Sequence, residues 1–373
     1  MANAFIPIQA RQLDPSGLLI GVVVSSYHLV RLFFELPSGV ISDLVGRKRL
    51  ILLGIAMAVG GAVFCSFATS VYFLIVGRAL WGFGAALFFL NNTVVIMNMF
   101  EPERRGKALG IFQSLEIVGN VLGQPFGAFI AEFLGFSASY YISAAIVGAG
   151  VIPMLISKDF SKRASILIEK AERRKIDISK IARNPYLIIT CLVVFIRMMI
   201  NRGIIGTVFQ IYLVDYLAVN LGLVGVALMI RSAGFSLTTI GAGFLVDRFG
   251  GRLVVILGTV LGATAMLMYT LFKSFELMVP VMILDGFASG MISVSILVVL
   301  SNQVDPTQTG SAVGLYRTFQ DAGAVIGPII MMAVYDAFNA YSSFYVAALI
   351  LVSSIPLLLC LPRRKMKATT LRD

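Results

Sequence analysis

Apolar residues fill eleven long, nearly unbroken stretches of this chain. They lie at about 16–38, 50–69, 71–98, 106–131, 138–157, 185–215, 221–243, 253–272, 276–300, 309–334 and 341–361. Each is close to the roughly 20 residues that an α-helix needs to cross the hydrocarbon core of a bilayer. No water-soluble domain can hide that much apolar surface. Of the 373 residues, 58% are apolar and 13% charged, against about 45–50% and 25% in ordinary globular proteins. The stretches are continuous rather than alternating over about ten residues, which excludes a membrane barrel of β-strands. The sequence therefore predicts an all-α polytopic membrane protein. Its start, Met1 to Ile6, shows no basic region ahead of a separate apolar core, so no cleavable signal peptide is read there.

The formal net charge of +11 would point to nucleic acid if it were spread over a soluble surface. Its distribution argues against a nucleic-acid partner. Alternating sides from the first charged loop places 22 basic residues on one face of the membrane: Arg47 to Arg49, Arg104, Arg105, Lys107, nine from Lys158 to Arg183, Arg248, Arg252 and five from Arg363 to Arg372. The other face holds Arg11 and Lys273, and six arginines fall inside spans. By the positive-inside rule the rich face is cytoplasmic, which predicts a multi-pass protein of the cell membrane. Cys65, Cys191 and Cys360 all sit in apolar stretches, and His28 is the single histidine. Neither a disulfide framework nor a metal site is expected, and no cofactor.

An internal repeat runs through the chain at one constant offset. Gly39-Val-Ile-Ser-Asp43-Leu-Val-Gly46 has the spacing Gly-x3-Asp-x2-Gly, and Gly243-Phe-Leu-Val-Asp247-Arg-Phe-Gly250 has it again 204 residues later. The same offset pairs Leu53-Gly54 with Leu257-Gly258, Gly82-Phe83 with Gly286-Phe287, and Gly119 and Gly123 with Gly323 and Gly327. A gap-free register over a hundred residues implies two parallel halves of about six helices each. We expect an N-terminal bundle at 1–157, a cytoplasmic linker at 158–184, a C-terminal bundle at 185–362 and a basic tail at 363–373. Within the linker, 166–180 reads either as a helix on the membrane face or as a solvated connection. The offset aligns Met1 with Ile205, about twenty residues into the helix that starts near Pro185. The expectation is a first helix reduced to a stub, with the chain starting inside it; an authentic eleven-helix protein is the alternative.

Residues 39–49, Gly-Val-Ile-Ser-Asp-Leu-Val-Gly-Arg-Lys-Arg, resemble the cytoplasmic loop signature of the major facilitator superfamily, repeated in weaker form at 243–252. Arg78-Ala-Leu-Trp-Gly82-Phe-Gly84 resembles the family's fourth-helix motif. Gly119-x3-Gly123-Gln-Pro-Phe-Gly127 resembles the fifth-helix motif of its antiporter branches, with Gln124 at the usual proline position. The resemblance covers nearly the whole chain. It implies a secondary transporter whose two six-helix halves rock about a central site. For the signature residues Gly39, Asp43, Gly46, Arg47 and Lys48, and for Gly243, Asp247 and Gly250, it implies a conformational latch. Gly39 would let its helix approach the helix of segment 309–334, and Asp43 would sit near the positive N-terminus of that helix, around Ser311. For Arg78 it implies a structural or proton-linked role.

Charges at bilayer depth cost at least about 2.5–3.5 kcal/mol each on insertion scales, so they normally face a cavity or pair with one another. His28, Arg31 and Glu35 are spaced three and four apart on one helical stripe. They read either as a titratable cluster or as an Arg31–Glu35 pair that locks the helix. Glu116 and Asn120 share a stripe, as do Arg197 and Asn201, with Arg202 about 100° further round. Arg231 sits at mid-span, Asp285 precedes Gly286, and Arg317 and Asp321 are spaced for an intrahelical pair. Six arginines against Glu35, Glu116, Asp285 and Asp321 leave a modest excess of positive charge.

The leading expectation is a secondary transporter of a small solute, proton-coupled and monomeric, exporting amphipathic drugs or metabolites. Uptake or exchange of an organic anion is the alternative that the arginines favour. No phosphate-cradling loop argues for a nucleotide-driven pump. A receptor on the same fold is the competing class. An intramembrane enzyme lacks a catalytic constellation to support it.

Overall fold

The computed structural model describes residues 1–100, 102–156, 184–304 and 309–361. The tail 363–373 and all of the linker but Asn184 lie outside these residues, as does the side chain of Asp43. Among the described residues there is no β-strand, and eleven helices are long and apolar enough to cross a membrane. Each coincides with one of the eleven apolar stretches.

A short turn at Ala2–Ala4 leads into α1 (Ile6–Leu13), which is too short to span and is buried from Ile6 to Ala10. The first half continues with α2 (Gly17–Val45), α3 (Arg47–Ser66), α4 (Val71–Met99), α5 (Pro102–Leu134), α6 (Phe136–Ala149) and its continuation α7 (Val151–Ile156). The second half opens with α8 (Pro185–Ile200), a π-helical segment (Asn201–Val208) and α9 (Phe209–Asp215), which together form one span. It continues with α10 (Leu221–Phe249), α11 (Gly251–Leu271), α12 (Phe275–Ser301), α13 (Thr309–Ala337), α14 (Ala340–Ser353) and α15 (Ile355–Leu359).

The repeat seen in the sequence recurs in the local chemistry. Ser16 caps α2 by accepting the Leu19 N–H, and Asn220, 204 positions on, caps α10 through the Leu223 N–H. Both helices end at a glycine with positive φ, 96° at Gly46 and 84° at Gly250, a backbone region that is essentially glycine's alone. This is why the loop signature keeps glycine there. Gly82 lets α4 lie against the Tyr27 carbonyl of α2, and Gly286 lets α12 lie against the Arg231 carbonyl of α10; a Cβ at either would overlap that oxygen. Ser139 Oγ donates to the Gly127 carbonyl, and Ser343 Oγ to that of Met331, each at 3.0 Å.

The halves meet along two crossings related by the same offset, α2 on α13 and α5 on α10. Both crossings are tight at the end where α2 and α10 begin. There the Gly17 N–H donates to Asp336 Oδ2, and the Gly222 N–H donates to Glu132 Oε2, each at 2.6 Å. Each carboxylate thus caps a helix N-terminus of the opposite half, where free N–H groups and the helix dipole favour an anion. Below them, Gly21 lies on the backbone of Pro328, and Gly225 on that of Gln124 and Pro125. An ion pair between Arg11 and Asp215 at 3.1 Å, with Tyr335 donating to the same carboxylate, adds to this closure. Towards the other end the crossings part. Among the described residues, Gly110, Gly241, Gly243 and Gly314 have nothing within 4 Å of a Cβ position. The described contacts between the halves are therefore concentrated at one end and thin out towards the other.

Gly39 has the Leu90 side chain of α4 3.0 Å from its Cβ position and no described atom of α13 within 4 Å. The contact with α13 that the family resemblance implies belongs to the state in which this end is closed. The close approach of α2 to α13 sits at Gly17 and Gly21 instead, because the two helices diverge before they reach Gly39.

The paired caps make a prediction. A hydrogen bond to a charged group contributes about 1.5–3 kcal/mol. Asp336→Asn together with Glu132→Gln should therefore shift the population towards separation of the closed end. Spin labels on α2 and α13 at that end, in a chain freed of its three cysteines, should report longer distances than in the parent. Unchanged distances would remove the capping role.

Candidate functional site

A polar cavity of about 340 Å³ lies between the two halves. On one side α1, α2, α4 and α5 line it; on the other, the π-helical segment, α9 and α10. Its charged lining is His28, Arg31, Arg78, Glu116, Arg202 and Arg231. Tyr27, Trp81 and Phe89 form an aromatic wall, and beyond that wall lies an apolar cavity of about 360 Å³ reaching α3 and α6.

The stripe on α2 does not keep its charges to itself. Arg31 Nε pairs with Glu35 Oε2 at 2.9 Å, as the spacing predicts, and also with Asp321 Oδ2 of α13 at 3.4 Å. The second oxygen of Glu35 is bonded by Arg317 Nη1 of α13 at 3.0 Å. Asp321 further lies 3.8 Å from Nδ1 of the buried His28. Arg317 thus reaches across to α2 where an intrahelical pair with Asp321 was expected. Two arginines and two carboxylates cross-link the halves in alternation. At this depth α2 and α13 are still in contact, so each acid has an arginine of the opposite half within reach.

A second network stays inside the C-terminal half. Arg231 bonds Asp285 through Nε and the Ser289 hydroxyl through Nη2, the latter at 2.8 Å. Arg197, on the next helix, donates to the Ser289 carbonyl at 3.1 Å. Arg197 and Asp285 therefore lie behind the cavity wall, and Arg231 reaches it from their side.

The π-helical turn decides where Arg202 points. The side chains of Thr207 and Gln210 donate, through Oγ1 and Nε2, to the Arg202 and Ile205 carbonyls, and the eight-residue π-helical segment sets Asn201, Arg202, Ile205 and Gly206 into the cavity wall. π-helical geometry is rare and is found frequently at functional sites. Gly203 presses the segment against the Gly327 backbone of α13. Opposite, the buried Arg78 lies with its guanidinium 4.8 Å from the Tyr27 ring and 5.8 Å from the Trp81 ring. Its Nη1 makes one long bond, 3.4 Å, to the Asn3 side chain. Neither Arg78 nor Arg202 forms an ion pair with a described carboxylate. Glu116 and Asn120 line the cavity from α5, where Asn120 Nδ2 bonds the Glu116 carbonyl.

The signature residues lie elsewhere. Gly39 and Gly46 lie in and just after the last turns of α2, Arg47 and Lys48 open α3, and Gly243, Asp247 and Gly250 lie in and just after the last turns of α10, all outside the cavity lining. Sequence reasoning missed Tyr27, Trp81, Gln124 and Gln210, which carry no charge to single them out. It also missed Glu132 and Asp336, although both are acidic span ends at the constant offset.

Comparison with known proteins agrees with this architecture. The family model described as "Major Facilitator Superfamily" matches residues 1–201 and again 192–372. The multi-drug resistance efflux pump PmrA of Streptococcus pneumoniae is 25% identical over 92% of this chain and 87% of its own length. The synaptic vesicular amine transporter of Bos taurus is 22% identical over 86% of this chain, which spans 63% of that protein. The crystal structure of the nucleoside transporter NupG superposes with a TM-score of 0.80 at 15% identity, covering 96% of this chain and 95% of that one. With the family model matching the chain twice over nearly its whole length, and with two helical halves closed about a polar cavity, this chain belongs to the Major Facilitator Superfamily of membrane transporters.

Proposed function

We propose that the chain is a secondary active transporter that exports a small amphipathic solute in exchange for protons, by alternating access of one central site. The observation that carries this reading is the polar cavity between the halves, with the described contacts between them concentrated at one end. In this reading 1–157 and 185–362 are the two rocking bundles, joined by the linker 158–184 and followed by the tail 363–373. Positive-inside bias assigns the Gly46 and Gly250 ends to the cytoplasm, so the described state faces inward in the cell membrane, and the transporter acts as a monomer. The apolar cavity behind Tyr27 and Trp81 supports an amphipathic solute, and the name of the efflux pump among its relatives supports export.

Protons enter through the groups that hold the halves together. Glu35 is shared by arginines of both halves, and Asp321 pairs with Arg31 of the opposite half. Protonating either would leave an arginine under-compensated at bilayer depth, which weakens the α2–α13 contact. Glu116, facing the cavity, is the second candidate carrier. The loop signature acts at the cytoplasmic ends, where Asp43 would latch α2 on the opposite half when that end closes.

Proteoliposomes under an imposed pH gradient, with an entrapped pH dye, test the proposal. Addition of a transported solute should move protons. Asp321→Asn should abolish the dependence of solute flux on the gradient, and Glu116→Gln should alter it. Asp43→Asn should slow flux several-fold while the protein remains inserted. Flux indifferent to the gradient in the parent would overturn proton coupling.

The bridging pairs carry a stability prediction. Glu35 holds two arginines, whereas Arg317, with 39% of its side chain exposed, has water as an alternative partner. Glu35→Gln should lower the unfolding temperature more than Arg317→Ala. Their double mutant should lose less than the sum, with a coupling of about 0.5–3 kcal/mol. Additive losses would show that the pair contributes nothing across the halves.

A further inference from the structure

We infer that the central site is built for an organic anion, whose carboxylate seats between Arg78 and Arg202 while its apolar body lies against Tyr27 and Trp81. This names the substrate class of the site proposed above and rests on that reading.

Charge accounting at bilayer depth carries the argument. Three of the six arginines within spans are answered by carboxylates: Arg31 by Glu35 and Asp321, Arg317 by Glu35, and Arg231 by Asp285. Arg78, Arg197 and Arg202 have no described carboxylate and each keeps a buried Nε without a hydrogen-bond partner. Arg197 lies behind the cavity wall on the Ser289 carbonyl, so Arg78, with one long bond to Asn3, and Arg202 are the two that line the cavity. Guanidinium nitrogens buried without acceptors cost free energy until something accepts from them. A carboxylate is the ligand that two guanidinium forks match in shape and charge.

The acidic side of the ledger excludes the opposite choice. Glu116 is the one carboxylate among the described lining residues of the cavity. Glu35, Asp321 and Asp285 already hold arginines. An ammonium group entering here would find one open carboxylate and two uncompensated guanidinium groups. The solute named for the vesicular relatives, an amine, is therefore the wrong sign for this cavity.

Arg78 belongs to the first half and Arg202 to the second, and the two face one cavity. Without a ligand they repel across it. An anion between them turns the repulsion into a bridge, so occupancy favours drawing the halves together around the site. The Tyr27 and Trp81 rings lie against the Arg78 guanidinium, and Arg202 is rooted in the π-helical segment.

The chain carries its own reporter, because Trp81 is its single tryptophan. Purified full-length protein in lipid nanodiscs is titrated with phenylacetate, phenethylammonium and phenylacetamide, which share one ring and differ in the charge of the head group. The expected result is a saturable change in Trp81 fluorescence with phenylacetate and none with the other two over the same range. Arg78→Gln and Arg202→Gln should each weaken phenylacetate by about tenfold or more, as loss of a charged hydrogen bond implies. Arg→Lys at either position should keep part of the affinity. The two residues lie on different halves, so misfolding of one variant leaves the other to decide. A response to phenethylammonium as strong as that to phenylacetate, no response to phenylacetate, or unchanged phenylacetate affinity in both Gln variants overturns the inference. Phenylacetate binding without flux in proteoliposomes keeps the anion site and removes the transport reading. Proton-linked flux of phenethylammonium without phenylacetate binding does the reverse.

Discussion

Six arginines and four carboxylates sit at bilayer depth in this chain, and the way their cost is offset dictates where the halves touch. Arg31 and Arg317 share Glu35 across the α2–α13 crossing, and Asp321 takes Arg31 from the other side, with the buried His28 ring 3.8 Å away. Neither helix could keep these charges in lipid alone. The crossing is thus both a structural contact and a place where protonation changes the balance between halves. Hydrophobic packing sets the helices in the membrane, but it does not distinguish one rocking position from another. Paired charges do, because separating them exposes each to a medium that cannot solvate it.

The closed end uses a different device, and uses it twice. Asp336 and Glu132 cap the N-termini of α2 and α10 from the opposite half, at equal distances and at the repeat offset. A helix start leaves free N–H groups whatever the sequence, so a carboxylate at the end of a facing helix makes a clasp that needs no buried arginine. Opening that end exchanges the carboxylate for water, which can solvate both the amide and the acid. The clasp is accordingly suited to an end that must open, whereas in the Glu35 and Asp321 network the two carboxylates and Arg31 are largely removed from solvent and only Arg317 is partly exposed.

Much of the frame was legible in the sequence, for physical reasons that are easy to name. Continuous apolar runs can be satisfied only as membrane helices, so all eleven spans fall where expected. The last glycine of each loop signature, Gly46 and Gly250, falls where a helix ends in a positive-φ turn. The Arg31–Glu35 pair follows from a spacing of four within one helix. Partners across helices were not legible: Arg317 and Asp321 have the right spacing for each other, yet both turn to α2 because the crossing brings its charges equally near. Tyr27 and Trp81 gave no signal because an aromatic residue in an apolar run reads as packing until a guanidinium is seen against it.

Symmetry and chemistry divide along the repeat. Caps, positive-φ glycines, close helix crossings and clasps recur at the constant offset, and all of them serve the scaffold. The chemistry does not recur. The position equivalent to Arg78 is Met282, that of His28 is Ser232, that of Asp321 is Ile117, and that of Trp81 is Asp285. A rocking fold needs matched contacts at its two crossings, which keeps the scaffold residues paired. A site that holds one solute needs unlike walls, with a guanidinium and aromatic rings from one half facing a second guanidinium from the other. Asp285 shows what that divergence does. At the place where the first half sets Trp81 beside Arg78, the second sets an acid that binds Arg231 and withdraws its charge from the cavity. The equivalent positions thus neutralise an arginine in one half and leave one available in the other, and the cavity takes its net charge from that difference.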